Sequence, residues 1–536
     1  MASSPRFLAA ATLAVALAAA VGGPISAAPP ADTIFPDQTV AFLSVPDPNE
    51  LSDRFRKTQV GQLVQDESME EFAKHLRDQA VNQVGDIENR LAVTTDDLFD
   101  AAGGELAIGF VFRGGDAATL VMTLDVTGKQ AEADKLLAKV DQSFVDRGAK
   151  KSAVNEGGVA MTRYDVPPPK PLLGLPPAEP RSVVYFQSGD LLVAVDRAEE
   201  APRFATAAAS GAAKPLAAVT AYQKILERCR AEVAGERSDM RWFLDPFRFK
   251  DARATMQMPE FLASRKDMMT ILGENGFRAI EAIGGFVGLA LDGDRDLQHC
   301  TVFYAPGNQA AGTEPSKRFD GAMRIADTPN RADLGIEPWA PRSTASYNTA
   351  SLNIQGVFDN LAPLFDEVAG YEDAFETTLE GFEKDPFGPK INVRDEIIEH
   401  LGGRITVMTD YTLPVKPDCE RYLFVVEVKG ESQLRGPLDR LMENDGAQRR
   451  ELKGVSYWEV IPEEDDADDL GGLPDFDDPL FDDPLFDDDG GQGEGGDAAA
   501  DTRHSAVCLH DGQLVIASDV EFLEQALFGV GPNESL

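Results

Sequence analysis

The chain has 536 residues, of which 91 are Asp or Glu and 50 are Lys or Arg, for a formal net charge of −41. That balance argues against nucleic acid and against an anionic membrane surface, since both need clustered cations facing phosphate, and it leaves cations or basic proteins as charged partners. A hydrophobic content of 43% is that of a globular protein, and the length suits two to four domains of roughly 100–200 residues, enough to form a core without covalent staples.

In chain order, Arg6, an apolar run over 7–21 and the small residues Ser26-Ala27-Ala28 read as a signal peptide over 1–28, so the mature chain is expected to begin near Pro29 in the periplasm or outside the cell. No Cys follows the run to accept a lipid, and no later stretch is apolar for long enough to cross a bilayer. A first unit is predicted over 29–212. It opens with a strand at 39–45 and a helix start at Asp47-Pro48-Asn49-Glu50, with a capping Asp, a Pro in the first turn and a Glu three residues on. A strand at 119–126 follows, then a helix with the apolar face Ala133, Leu136, Leu137, Val140 and Phe144 that stops at Gly148. A strand at 158–166, a hairpin (182–186, Ser188-Gly189-Asp190, 191–195) and a helix at 199–209 close the unit.

A partial middle unit is predicted over 213–335, with strands at 240–245, 286–291 and 300–305 before the pattern dissolves into Pro, Gly, Asn and Thr; it reads as shared between its neighbours. The third unit, 336–536, replays the first. It has a weak opening strand at 345–349, a strand at 422–428, a helix marked by Leu434, Leu438, Leu441 and Met442 ending at Gly446, a strand at 454–460, a hairpin through Asp511-Gly512 and a closing helix at 520–528. In all three, an amphipathic run closes on Gly-Gly and leads into a strand: Gly103-Gly104, Gly284-Gly285 and Gly402-Gly403. The fold class expected is therefore α+β, with duplicated antiparallel sheet-and-helix units and a truncated middle unit.

The residue after the glycines is Glu105, Phe286 or Arg404, so no reacting group recurs and the phrase carries architecture. Two low-complexity stretches, a Pro-rich one at 167–177 and an acidic one at 463–501, fall at the same address between strand and hairpin, where added loop length costs only about 0.6 kcal/mol per doubling. The acidic insertion, with its repeat Asp477-Asp478-Pro479-Leu480-Phe481-Asp482-Asp483-Pro484-Leu485-Phe486, is expected to be disordered by charge repulsion. Its regular Phe residues leave a docking strip as an alternative, and its carboxylates leave weak calcium binding as another.

Asp292-Gly293-Asp294-Arg295-Asp296 starts like a calcium loop, but Leu297 stands where the bend needs Gly and Phe303 where the loop needs a closing Glu, so a hairpin turn is expected. His75, His299, His400, His504 and His510 lack zinc spacing, and there is no GxSxG, GxxxxGK or GxGxxG. No catalytic or cofactor-binding residue is assigned, no cofactor is expected, and metal ligands stay unidentified. Cys229, Cys300, Cys419 and Cys508 allow three pairings or buried free thiols, and sequence does not choose.

Residues 35–47 (Phe-Pro-Asp-Gln-Thr-Val-Ala-Phe-Leu-Ser-Val-Pro-Asp), 57–63 and 95–104 resemble a family of large exported bacterial proteins of unknown function, abundant in planctomycete-type bacteria. The resemblance implies export and an envelope role and brings no catalytic residues with it. The expectation is a non-enzymatic exported protein that binds or scaffolds an envelope or extracellular protein. The alternatives are a hydrolase with a carboxylate or metal site between repeats and a calcium-linked adhesion protein.

Overall fold

The computed structural model describes residues 28–528 except 67–86 (where only 69 and 74 are described), 116–117, 157, 169–180, 233–237, 257–267, 291–295, 309–316, 329–330, 414–418 and 462–503. The expected signal peptide, the acidic insertion, most of the Pro-rich stretch, His75 and the calcium-like loop at 292–295 lie outside the described residues. The chain divides into two units, one of residues 1–263 and 280–305 and one of 264–279 and 306–536. The segment 213–335 is thus divided between them.

The first unit holds a ten-stranded antiparallel sheet: β1 Thr39–Val45, β2 Leu106–Val111, β3 Thr119–Asp125, β4 Lys150–Glu156, β5 Val159–Val166, β6 Arg181–Ser188, β7 Leu191–Val195, β8 Met240–Leu244, β9 Ala282–Leu289 and β10 Leu297–Tyr304. Its order is β10-β9-β8-β1-β2-β3-β7-β6-β5-β4. The second unit holds β11 Ser346–Ser351, β12 Leu401–Tyr411, β13 Glu420–Val428, β14 Gln448–Leu452, β15 Val455–Val460, β16 Ser505–His510 and β17 Gln513–Ala517. These run β11-β12-β13-β17-β16-β15-β14, the same path that β1 to β7 take. The protein is α+β, as the strand and helix patterning predicts. The middle segment adds β8, β9 and β10 in line, joined to the first sheet because β8 lies against β1 with Phe42 opposite Phe243 and Leu43 opposite Trp242.

Local chemistry accounts for the element ends. The Asp47 carboxylate accepts the Glu50 amide at 3.0 Å, capping helix Pro48–Phe55 and meeting one of the N–H groups that the first turn leaves without a partner. The helices Gln130–Asp146 and Glu431–Asn444 end just before Gly148 and Gly446, whose φ values of 77° and 71° only glycine adopts without strain. Asp511 and Gly512 both take positive φ, 48° and 73°, as a tight two-residue hairpin demands.

Two strands escape the sequence pattern. β4 and β14 are the last strands of their sheets and read Lys-Lys-Ser-Ala-Val-Asn-Glu and Gln-Arg-Arg-Glu-Leu, mostly exposed, so neither shows apolar alternation. Two of the three Gly-Gly pairs also depart from expectation: Gly284 and Gly285 lie inside β9, and Gly402 and Gly403 lie inside β12, not ahead of them.

The first sheet is covered on both faces, the second on one face and on part of the other. In the first unit, helices Ala31–Ile34, Ala201–Ser210 and Thr220–Glu232 bury Ile34, Phe35, Phe204 and Tyr222 against Phe42 and Phe243. Phe35, Phe42, Tyr222 and Phe243 meet in a chain of edge-to-face contacts at 5.1–6.2 Å. Ala31, Ile34 and Phe35 are buried, and Ala28 packs against the same cluster. On the opposite face Leu136, Val140 and Phe144 close over Leu120, Met122 and Leu124 with Leu91 and Leu98. In the second unit, helix Val520–Phe528 packs Phe522 and Leu523 on Met408, Leu423 and Val425. Helix Glu431–Asn444 packs Leu434, Leu438 and Met442 on Val426, Val428 and Trp458 across the other face. Each such side chain, fully buried, contributes about 1.5–3 kcal/mol.

Candidate functional site: a charged cleft and an open sheet face

The Gly-Gly pairs are explained by what crosses them. A side chain at Gly104 would collide with the Asp125 carboxylate of β3, and one at Gly402 would collide with Glu427 of β13. In both sheets, then, the glycine leaves room for an acidic residue on the next strand. The residue after each of these two Gly-Gly pairs is charged, with opposite sign. Glu105 accepts from Ala31 N at 2.8 Å, from the Ser44 hydroxyl and from Arg241 at 2.8 Å. Arg404 instead donates, to Glu337 at 2.8 Å, to the Asp333 carbonyl at 3.1 Å and to the Tyr347 hydroxyl at 3.1 Å.

Around Arg404 lies a cleft of about 280 Å³ lined by Arg331, Asp333, Glu337, Thr406, Glu427 and Gln513 among others. Arg331 grips Asp333 with two nitrogens at 2.9 and 2.6 Å and reaches Glu427 at 2.6 Å. The same Glu427 oxygen accepts the Gly403 and Arg404 amides at 2.9 and 3.1 Å. Hydrogen bonds from Arg331 hold the Glu427 carboxyl below the usual carboxylate range and that of Asp333 down to about 2. Groups so held stay ionised at neutral pH, and neither gives nor takes a proton there. Both guanidiniums are already engaged by protein acceptors, so the cleft works as a latch that ties residues 331–337 to the sheet.

The second sheet carries a different feature on its opposite face. Register fixes the comparison: Met122 faces Ile108 and Ala194 across β2, β3 and β7, and Phe424 faces Val407 and Ile516 across β12, β13 and β17. Asp125 and Glu427, each over its glycine, match in the same count, so Leu120 and Tyr422 also correspond. Leu120, Met122 and Ala194 are 0% exposed, whereas Tyr422, Phe424 and Ile516 are 47%, 37% and 41% exposed.

In the first unit the cover comes from the connection between β1 and β2, where Leu91, Val93 and Leu98 join the cluster and the Leu91 carbonyl accepts the Tyr185 hydroxyl. In the second unit the connection between β11 and β12 forms helices Ile354–Ala369 and Ala374–Lys384, which pack on each other, Phe375 meeting Phe358 and Phe365 edge-to-face at 5.2 and 5.6 Å. Tyr422, Phe424 and Ile516 stay part-exposed, with Tyr411 at 45% exposure on the same face. At the rim Glu420 accepts the Tyr411 and Tyr422 hydroxyls at 3.2 and 2.6 Å. Composition alone reads 422–428 as a largely buried strand; the structure corrects this, because Tyr422 and Phe424 alternate with buried Leu423 and Val425 and face outward.

The residues weighed as sites do not converge among the described residues. Cys229, Cys300, Cys419 and Cys508 are free thiols. Cys229 approaches the Cys300 carbonyl at 3.6 Å, and burial together with the Cys300 thiol pushes its own thiol up to about 12; burial pushes Cys508 up to about 11. His504 pairs with Glu459 at 2.7 Å and His510 lies 3.5 Å from Asp511, while His299 sits in β10 and His400 just ahead of β12. No group of three or more His, Cys, Asp or Glu able to hold a metal ion is found among the described residues. No helix among them is long and apolar enough to cross a membrane. The chain matches no family of known proteins, no curated protein and no solved structure.

Proposed function

We propose that the chain is an exported, non-catalytic protein of the bacterial envelope that binds or scaffolds a macromolecular partner through the open face of the second sheet. The observation that carries this reading is the part-exposed row Tyr422, Phe424 and Ile516 with Tyr411, at positions whose counterparts in the first unit are sealed by Leu91 and Leu98. Aromatic and branched side chains on a rigid sheet offer contact area at low entropic cost. The hydrolase reading has no support of this kind, since Glu427 and Asp333 of the charged cleft are held ionised by Arg331. The calcium reading rests on the insertion at 463–501, outside the described residues.

The test is a pulldown from envelope extract with the mature chain and its Phe424→Ser and Tyr422→Ser variants. Each variant loses the packed part of its side chain, so an unchanged far-UV spectrum and a melting midpoint well above the temperature of the pulldown verify that it is folded. The proposal expects a partner held by the parent to be lost from both variants. If the variants hold the same proteins as the parent, the face is not the binding surface.

A further inference from the structure

The way β1 is completed in the first unit bears on the edge of the second. β1 and β8 each open a run of three neighbouring strands, β1-β2-β3 and β8-β9-β10, and the two runs meet first strand to first strand. The pairing is antiparallel, Ala41 with Leu244, Phe42 with Phe243, Leu43 with Trp242 and Ser44 with Arg241. Leu43 and Trp242 are each the third residue from the end of their strand, at Val45 and Leu244. The two runs therefore meet about an approximate local two-fold close to the Leu43–Trp242 pair.

β11 opens the corresponding run β11-β12-β13, and it stands at the end of its sheet, with no strand on its outer side among the described residues. Its position matching Leu43 can be counted. Leu43 faces Ile108, which faces Met122 three residues before Asp125, and Asn348 faces Val407, which faces Phe424 three residues before Glu427. Asn348 is exposed.

The strand also lacks the usual deterrents to pairing. β4 and β14, the far edges of the two sheets, carry Lys150, Lys151 and Glu156, and Arg449, Arg450 and Glu451. β11 reads Ser-Tyr-Asn-Thr-Ala-Ser, with no charge, no Pro and no register shift against β12. An exposed edge of that kind is a template for another strand. Two copies of it face each other with no like charges opposed, even in a chain of net charge −41.

We propose that β11 pairs with β11 of a second copy of this chain, about a two-fold at Asn348, so that two second-unit sheets become one continuous antiparallel sheet. The register is set by taking Asn348, the counterpart of Leu43, as the axis. Asn348 lies opposite Asn348 of the second copy, Tyr347 opposite its Thr349, and Ser346 opposite its Ala350. The proposal does not depend on what binds the open face.

Sedimentation velocity of the mature chain tests it, with Asn348→Lys and Asn348→Glu as the variants. Both substitutions lie on an exposed side chain, and an unchanged far-UV spectrum verifies the fold. The parent is expected to sediment as a dimer, each variant alone as a monomer because like charges then meet at the axis, and a mixture of the two as a dimer again. Asn348→Cys is expected to form an intermolecular disulfide with itself when glutathione disulfide is supplied as the oxidant, the two thiols losing their protons and the oxidant leaving as two glutathione thiols. A parent that is monomeric at its highest soluble concentration overturns the proposal. So does a dimer that survives Asn348→Lys, or one that is broken instead by Phe303→Lys on the uncharged edge β10.

Discussion

Glycine is used here as clearance, and the two kinds of clearance have different consequences. At Gly104 the obstacle is the Asp125 side chain, which can swing; at Gly285 it is the Cys300 carbonyl in the neighbouring strand, which cannot move without opening the β9–β10 ladder. Gly104→Ala is therefore expected to cost about 1–3 kcal/mol, as overfilling a packed site does, and Gly285→Ala distinctly more. Urea denaturation of the two variants measures the difference, and equal losses would remove the distinction. The sequence shows that glycine recurs at these places but not why, because the obstacle lies on a strand about 20 residues away in one case and 15 in the other, brought alongside only by the fold.

At the scale of elements, the second unit's cleft predicts a pH response with a definite sign. Glu427 and Asp333 are held below their usual values of 4.5 and 3.8, Asp333 at about 2, so the folded state binds fewer protons than the unfolded chain in that window. Their contribution is complete above about pH 4.5 and is lost as pH falls toward 2. Arg331→Met removes the partner, and the expected outcome is a shallower fall in denaturation midpoint between those pH values than the parent shows. Parallel curves would mean that the latch adds nothing.

The elements legible in the sequence are those with an apolar stripe and a cap. Asp47 and Pro48, Gly148, Gly446 and the Asp511-Gly512 turn all mark the ends that the structure shows. β4 and β14 were not legible, since an edge strand that keeps Lys and Arg in water has no buried alternation to display. Helix Ile354–Ala369 has an apolar stripe but carries Pro363 in its interior, the residue that usually marks a break. The open face was hidden for the opposite reason. Tyr422-Leu423-Phe424-Val425 is apolar on both faces, the pattern of a doubly covered strand, and only the course of the β11–β12 connection reveals that one cover is missing.

Across the molecule, one chain path serves two surfaces. The order β1-β2-β3-β7-β6-β5-β4 reappears as β11-β12-β13-β17-β16-β15-β14, yet the first sheet is closed where the second is open. Its edge is completed by β8 and its face by residues 91–98, whereas β11 and the row Tyr422, Phe424 and Ile516 have no such cover among the described residues. The framework brings no shared reacting group to the place where the two sheets correspond. Glu105 and Arg404 hold that position with opposite charge, and each is spent on a structural partner.

Hydroxyl-radical footprinting of the mature chain, alone and in envelope extract, tests this account most directly. In the isolated chain Tyr422 and Phe424 should be oxidised readily while Leu120 and Met122 are not, and in extract the first pair should become protected with the second unchanged. Tyr422 and Phe424 oxidised to the same extent in both, or Met122 oxidised as readily as Phe424 in the isolated chain, would contradict it.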